Sequence, residues 1–273
     1  MNQPAHSTPR NRGRLAFGVE PNKRPYRLRL ARYAALAETL AALADSGRFD
    51  RDKPLRLLDA GAGNGRTMRY LEPYGVHDRI EFHAIEADPH RIEHLYGRER
   101  WASVKQIDLN DGIPFASDHF DAVVCEQVLE HLDAPGAVLK ELARVTRPGG
   151  TLIVGVPTYP PGLATIRGSV VPRLDRLVGK RRGHSQVFTS AGLKRFVEAE
   201  AQMRVDTLRG FRVASGGMLR PLEDFGWWYR LNRRVGHWLP GLCIECQAIA
   251  IKTAPTTSDA SPAAVAAAGP GPH

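Results

Sequence analysis

Leu57-Leu58-Asp59-Ala60-Gly61-Ala62-Gly63-Asn64-Gly65-Arg66 is an apolar run that stops on an acid, passes through three alternating glycines and enters a helix-forming stretch. The run reads as a buried strand. Glycine has no Cβ, so the turn can adopt positive φ and a ligand can lie against bare backbone. Open α/β sheets bind nucleotides at the turn after such a strand. This one stretch therefore predicts a doubly wound sheet and a nucleotide-like ligand.

Working outward, short apolar runs alternate with helical stretches, the βαβ signature of a parallel sheet. Strands are expected over Leu55–Asp59, Glu81–Glu86, Ser103–Asp108, Phe120–Cys125 and Thr151–Val156. Helices are expected near 66–73, 89–97 and 135–146, with Arg147-Pro148-Gly149-Gly150 as a turn. Upstream, Leu28, Ala31, Leu36, Leu40 and Leu43 recur at helical spacing. Downstream, Thr189 is a good N-cap for a helix over Ser190–Ala201, Met203–Arg209 reads as a sixth strand and Leu242–Lys252 as the last. The expected organisation is a disordered basic arm over 1–24, one domain over 25–252 with substrate-side insertions near 157–188 and 210–240, and a disordered Ala/Pro-rich tail over 253–273.

A hydrophobic fraction of 42% in 273 residues is enough for a sizeable core. No run approaches the ~18–20 apolar residues of a membrane span. The Met-Asn-Gln-Pro start lacks the apolar stretch of a secretory signal. Three cysteines do not make a disulfide framework. A reduced, cytoplasmic protein is expected. The net charge of +9 is unevenly spread. Residues 1–32 carry eight Arg/Lys against one Glu, and residues 160–240 carry fifteen basic against six acidic groups. The positive flanks leave open an anionic partner: a phosphate-bearing substrate, RNA or a membrane surface contacted peripherally.

The glycine pattern is G-x-G-x-G, with Arg66 where a dinucleotide fingerprint has its third glycine. Two further acids follow at strand tips. Glu86, 21 residues after Gly65, is placed to accept hydrogen bonds from ribose hydroxyls. Asp108 can accept from an exocyclic amino group, or can be a plain turn residue. Next come Phe120-Asp121-Ala122-Val123-Val124-Cys125-Glu126-Gln127-Val128-Leu129-Glu130-His131-Leu132 and Arg144-Val145-Thr146-Arg147-Pro148-Gly149-Gly150.

In this order and spacing, residues 55–157 resemble the class I S-adenosylmethionine-dependent methyltransferases, in the small-molecule branch related to the quinone-biosynthesis enzymes. The first motif of that family matches Asp59 to Gly65, and its Glu-His-Leu segment matches Glu130-His131-Leu132. Its Arg-Val-Leu-(Lys/Arg)-Pro-Gly-Gly turn matches Arg144 to Gly150, with Thr146 in place of Leu. The resemblance implies an α/β, Rossmann-like, seven-stranded, mostly parallel sheet with an antiparallel last strand and helices on both faces. It also implies S-adenosyl-L-methionine as cofactor. Asp59, Gly61, Ala62, Gly63, Asn64 and Gly65 would hold its methionine end, and Glu86 with Ala87 its ribose. Asp108 with Leu109 would hold its adenine, and Glu126 with Gln127 would lie beside the methyl-bearing end.

Methyl transfer to a small-molecule or lipid-linked acceptor, at oxygen, is the expected reaction. The acceptor proton calls for a base, and His131 and His184 are the candidates because histidine titrates near neutrality. His131 also reads as a packing residue of the family turn. The alternatives are an RNA-modifying methyltransferase, suggested by the basic flanks, and a nicotinamide-dependent oxidoreductase, which Arg66 argues against.

Three other patterns invite chemistry. His90-Arg91-Ile92-Glu93-His94 has the H-x-x-E-H spacing of some zinc peptidases, but no third ligand is identifiable, and no metal is expected. Cys243-Ile244-Glu245-Cys246 falls in an expected strand, where an odd offset sends the two thiols to opposite faces. Trp227, Trp228, Tyr229 and Trp238 lie among arginines, which fits core packing, a lid over the cofactor cleft or an interfacial segment.

Overall fold

A computed structural model describes residues 28–49, 53–160, 187–213 and 217–253. The expected arm over 1–24 and His184 lie outside the described residues, as do most of the insertion near 157–188 and the tail beyond Thr253.

Seven strands form one sheet: β1 (Leu55–Ala60), β2 (Ile80–Glu86), β3 (Trp101–Gln106), β4 (Phe120–Glu126), β5 (Thr146–Pro157), β6 (Arg204–Phe211) and β7 (Glu245–Ile251). Their order is β3-β2-β1-β4-β5-β7-β6. β1 pairs in parallel with β2 and β4, β2 with β3, and β4 with β5. β7 runs antiparallel to both β5 and β6, as the resemblance implied.

The strands are buried on both faces, which is why they read as continuous apolar runs. Side chains alternate between two cores. Leu57, Ala122, Val124 and Ile153 join α1 (Ala31–Asp45) and α2 (Arg66–Leu71) on one face. Leu58, Val123, Leu152 and Val154 join α4 (Pro135–Val145) and α5 (Ser190–Glu200) on the other, α3 being the short helix Pro89–Glu93. Truncating a fully buried residue such as Leu58 to alanine would cost about 2–5 kcal/mol. Thr189 caps α5 as expected, its side chain accepting from Gly192 N.

Four expectations need correction. The helix expected over 89–97 ends at Glu93, because the chain turns through His94 and reaches a left-handed Gly97. β3 begins and ends two residues early, so Asp108 lies beyond it as the cap of the turn Leu109–Asp111. β5 begins at Thr146, so the Arg147–Gly150 turn is a shift of register within the pairing to β4. Finally, Cys243 precedes β7 rather than lying in it, so strand alternation does not separate the two thiols. Both are free and buried, and burial pushes Cys243 up to about 12 and Cys246 up to about 11. They are unreactive packing residues.

Candidate active site

β1 and β4 are neighbours, but their connections run to opposite sides of the sheet. This is the switch point at which open α/β sheets leave a crevice beyond the strand ends. A cavity of about 710 Å³ opens there. Gly61, Ala62, Gly63 and Asn64 line it from the loop after β1, Glu86 and Ala87 from the tip of β2, and Asp108 and Leu109 from beyond β3. Glu126, Gln127 and His131 line it from the end of β4 and the turn that follows. The two remaining cofactor candidates do not. Gly65 starts α2 in a left-handed conformation against the Tyr96 backbone, and Asp59 is buried at the end of β1.

The loop owes its shape to backbone and one acid. Gly61 N and Ala62 N both donate to Ile85 O, at 2.8 and 3.0 Å, and tie the loop to β2. Glu86 completes the hold. Its Oε2 accepts from Gly63 N at 2.7 Å and its Oε1 from Asp88 N at 3.1 Å. Each oxygen keeps a second acceptor site, and the residue still lines the cavity. Gly63 has φ +55°, and a Cβ there would meet nothing within 4 Å. The site needs glycine for its backbone angle and for the open space in front of it.

Asp59 has one carboxylate oxygen, Oδ2, with no hydrogen-bond partner among the described residues. Burial pushes its pKa up to about 7 against the pull of a Thr67 hydrogen bond, and the charge of Glu86 adds to the rise. A buried acceptor short of a donor suits a cationic ligand group. Gln127 is in a left-handed conformation at φ +59°, pinned by its N–H to Gly155 O at 2.7 Å. Its buried Nε2 also lacks a partner. These acceptors, the orphan amide and the bare glycine backbone fit a cationic nucleoside-bearing cofactor. Asp108 Oδ1 accepts from Asn110 N and Asn110 Nδ2, so the turn role and the cavity-lining position coincide.

The far wall was not foreseen. Arg32 and Tyr33, in the first turn of α1, line the cavity. Arg32 Nε lies 3.1 Å from Glu126 Oε1, and its Nη1 lies 3.3 Å from Glu245 Oε2. Arg212 Nη1 reaches Glu245 Oε1 at 2.7 Å, and Gln247 Nε2 donates to Glu126 Oε2 at 2.8 Å. Two arginines and two glutamates thus neutralise each other in the interior. Burial pushes Glu126 up to about 7, although Arg32 and Gln247 pull it down. Gly155 makes this possible: a Cβ there would fall on the Glu126 carboxylate. In the sequence, Arg32 sits in a helix that reads only as core packing. Glu245 and Gln247 sit in an apolar strand, and a polar residue in such a strand was the one available signal.

Of the two base candidates, His131 is half exposed, lines the cavity and lies 3.9 Å from Glu130 Oε1. His90, Glu93 and His94, all from the motif itself, do offer three ligand atoms within 4.8 Å of one another. All three are exposed, no fourth ligand joins them among the described residues, and His94 Nδ1 is hydrogen-bonded to His90 O. A closed zinc site needs four ligands. Among the described residues of 210–240, none lines the cofactor cavity, so the lid reading is not supported there.

Comparison with known proteins agrees with this geometry. Residues 58–154 match the model of the family described as "Methyltransferase domain". A ubiquinone biosynthesis O-methyltransferase of Aeromonas salmonicida is 26% identical over 162 residues, 58% of this chain and 67% of that protein. Its counterpart in Xanthomonas oryzae pv. oryzae is 30% identical over 44% of this chain and 51% of that protein. These alignments span about half to two thirds of the relatives' length. Among solved structures, a candidate sarcosine dimethylglycine methyltransferase from Galdieria sulphuraria superposes with a TM-score of 0.55, at 17% identity, over 82% of this chain and 86% of that one, which speaks for the fold alone. No helix among the described residues is long and apolar enough to cross a membrane. The sequence of residues 58–154 and the fold together support a class I S-adenosylmethionine-dependent methyltransferase.

Proposed function

We propose that this protein transfers a methyl group from S-adenosyl-L-methionine to a small-molecule or lipid-linked acceptor, at oxygen. The observation that carries this reading is the meeting of Gly63, Glu86, Asp108 and Glu126 at one cavity beyond the strand ends. When bound, the cofactor supplies an electrophilic methyl group on a positively charged sulfur.

The chain's own residues then bind and orient. Glu86 accepts from the ribose hydroxyls with the acceptor sites its two backbone donors leave over. Asp108 accepts from the adenine amino group. Gly61 to Asn64 offer backbone to the methionine end, and the buried Asp59 carboxyl lies behind them. Gln127 Nε2, lacking a partner among the described residues, donates to a ligand oxygen. Methyl transfer from sulfur needs little covalent help, so in-line positioning supplies most of the acceleration. His131 would take the acceptor's proton as the methyl group passes to oxygen. His184 is the alternative base, outside the described residues. The ubiquinone O-methyltransferase relatives support a small-molecule acceptor and the choice of oxygen.

The test is incubation of the full chain and labelled S-adenosylmethionine with a host lysate, then separation into lipid, small-molecule, RNA and protein fractions. Label in an ether product of the lipid or small-molecule fraction is expected. Label in RNA alone would overturn the acceptor class, and tight NAD(H) binding without S-adenosylmethionine affinity would overturn the reaction.

A further inference from the structure

The last helix, α6 (Gly226–Trp238), is mounted the wrong way round for a helix facing water. Tyr229, Asn232 and Gly236 face inward. Tyr229 packs with Leu28, Ala31, Ala35 and Phe211, and Asn232 Oδ1 accepts from Val213 N at 3.1 Å. A Cβ on Gly236 would strike the Gly210 backbone, so helix and sheet are in close contact. Arg233 is tied to Glu38 of α1 by two hydrogen bonds, at 2.9 and 2.7 Å. The helix is held through a mixed inner face: the Tyr229 ring in an apolar cluster, the Asn232 amide and the Arg233–Glu38 pair.

Its outer face should then be polar, and it is not. At 100° per residue, Trp227, Leu231, Arg234 and Trp238 fall on one stripe, with Arg230 at its border. Trp227 is 51% exposed, Leu231 45% and Trp238 79%. Phe225, Leu239 and Leu242 continue the exposed apolar surface at both ends of the helix. From Gly226 to Leu242 there is no acidic residue, and neither Arg230 nor Arg234 has an acidic partner among the described residues. Beside the stripe, between α1, β6 and α6, lies a cavity of about 360 Å³. Arg209, Arg233, Arg234, His237 and Trp238 line it, with Glu38 as its one carboxylate. Arg209 is anchored there through Thr39 Oγ1 at 2.8 Å.

We propose that this face of α6, with the basic cavity beside it, docks the protein onto a membrane surface carrying anionic phospholipid. Tryptophan and leucine interleaved with arginine is the composition of a segment lying at the headgroup boundary. The arginines match the negative surface, and the cavity has the charge to take a lipid phosphate. A folded RNA would be met by the arginines and tryptophans but has no use for exposed Leu231, Leu239 and Leu242. Docking of this kind does not depend on methyl transfer and is measurable without cofactor.

The experiment is flotation of the full chain with vesicles of phosphatidylcholine alone and of phosphatidylcholine mixed with phosphatidylglycerol. Binding to the mixed vesicles alone, weakened by salt, is expected. Trp227→Ser with Trp238→Ser, and separately Arg230→Glu with Arg234→Glu, should each lower that binding by roughly tenfold or more. Their melting temperature and S-adenosylmethionine affinity should not change, because the altered side chains are exposed and remote from the cofactor loop. Four results would overturn the proposal: equal binding to both vesicles; wild-type binding by both α6 variants while Arg10→Ala, Arg12→Ala and Arg14→Ala together abolish it; RNA binding lost in the α6 variants with no vesicle binding; or capture of inorganic phosphate with no vesicle binding.

Discussion

The cofactor edge, over β1 to β4, and the far wall, where α1 meets β5 and β7, are built on different principles. The first consists of strand tips, each contributing one acid or one stretch of bare backbone. Its internal bonds run between neighbouring strands, such as Glu86 to Gly63. The second is a charge network whose members are far apart in sequence. Arg32 and Glu245 are separated by 213 positions, and Glu126 and Gln247 by 121. The first region leaves polar groups open to the cavity, whereas the second spends most of its own on itself. Damage to the first should therefore show in binding, and damage to the second in stability.

Arg32→Leu is the strongest test of the second half of that contrast. It leaves Glu126 and Glu245 buried with reduced compensation and should cost about 3–5 kcal/mol in urea unfolding. A loss below about 1 kcal/mol would mean that the network does not hold this wall together.

Gly63→Val tests the cofactor edge. It should remove S-adenosylmethionine and S-adenosylhomocysteine binding from calorimetric detection, while left-handed strain costs only about 1–2 kcal/mol of stability. Retained affinity would place the cofactor elsewhere.

Glu86→Ala should weaken cofactor binding by about 1–3 kcal/mol, and should lower stability by about 1 kcal/mol through the two lost backbone bonds. An unchanged dissociation constant would remove Glu86 from the ribose role.

A further way to test the cofactor edge is a pH slope. Asp59 is raised on folding from 3.8 to about 7, so between these values the folded state holds a proton that the unfolded state has lost. Stability must then fall as pH rises through that window and level off above about 7. Measured against Asp59→Asn, the wild type should lose stability from about pH 4 to about pH 7. A flat difference would mean that Asp59 stays ionised in the fold.

The strands from β1 to β4 were legible because parallel strands buried on both faces write themselves as apolar runs. Strand ends were less so. Asp108 was read as the end of β3 and is instead the cap of the next turn, since a side chain that accepts from Asn110 N competes with the ladder. The two thiols showed the same weakness. By pattern Cys243 and Cys246 share one strand, but the turn Pro240–Leu242 ends immediately before Cys243 and the strand begins only at Glu245. By pattern alone, the tryptophan segment fits core packing, a lid or an interface. Only its mounting on α1 and β6 showed which side faces out.

The local chemistry of the chain is enough to specify the glycine loop, the acids at the strand tips and the sheet that presents them. Each depends on residues adjacent in sequence or repeated at the period of a single element. The closing of the cavity by Arg32, the clearance that Gly155 leaves for Glu126 and the outward face of α6 depend on which distant segments pack together. No local pattern encodes them, because a buried charge or an exposed tryptophan acquires its meaning from the neighbour that the fold brings to it or withholds.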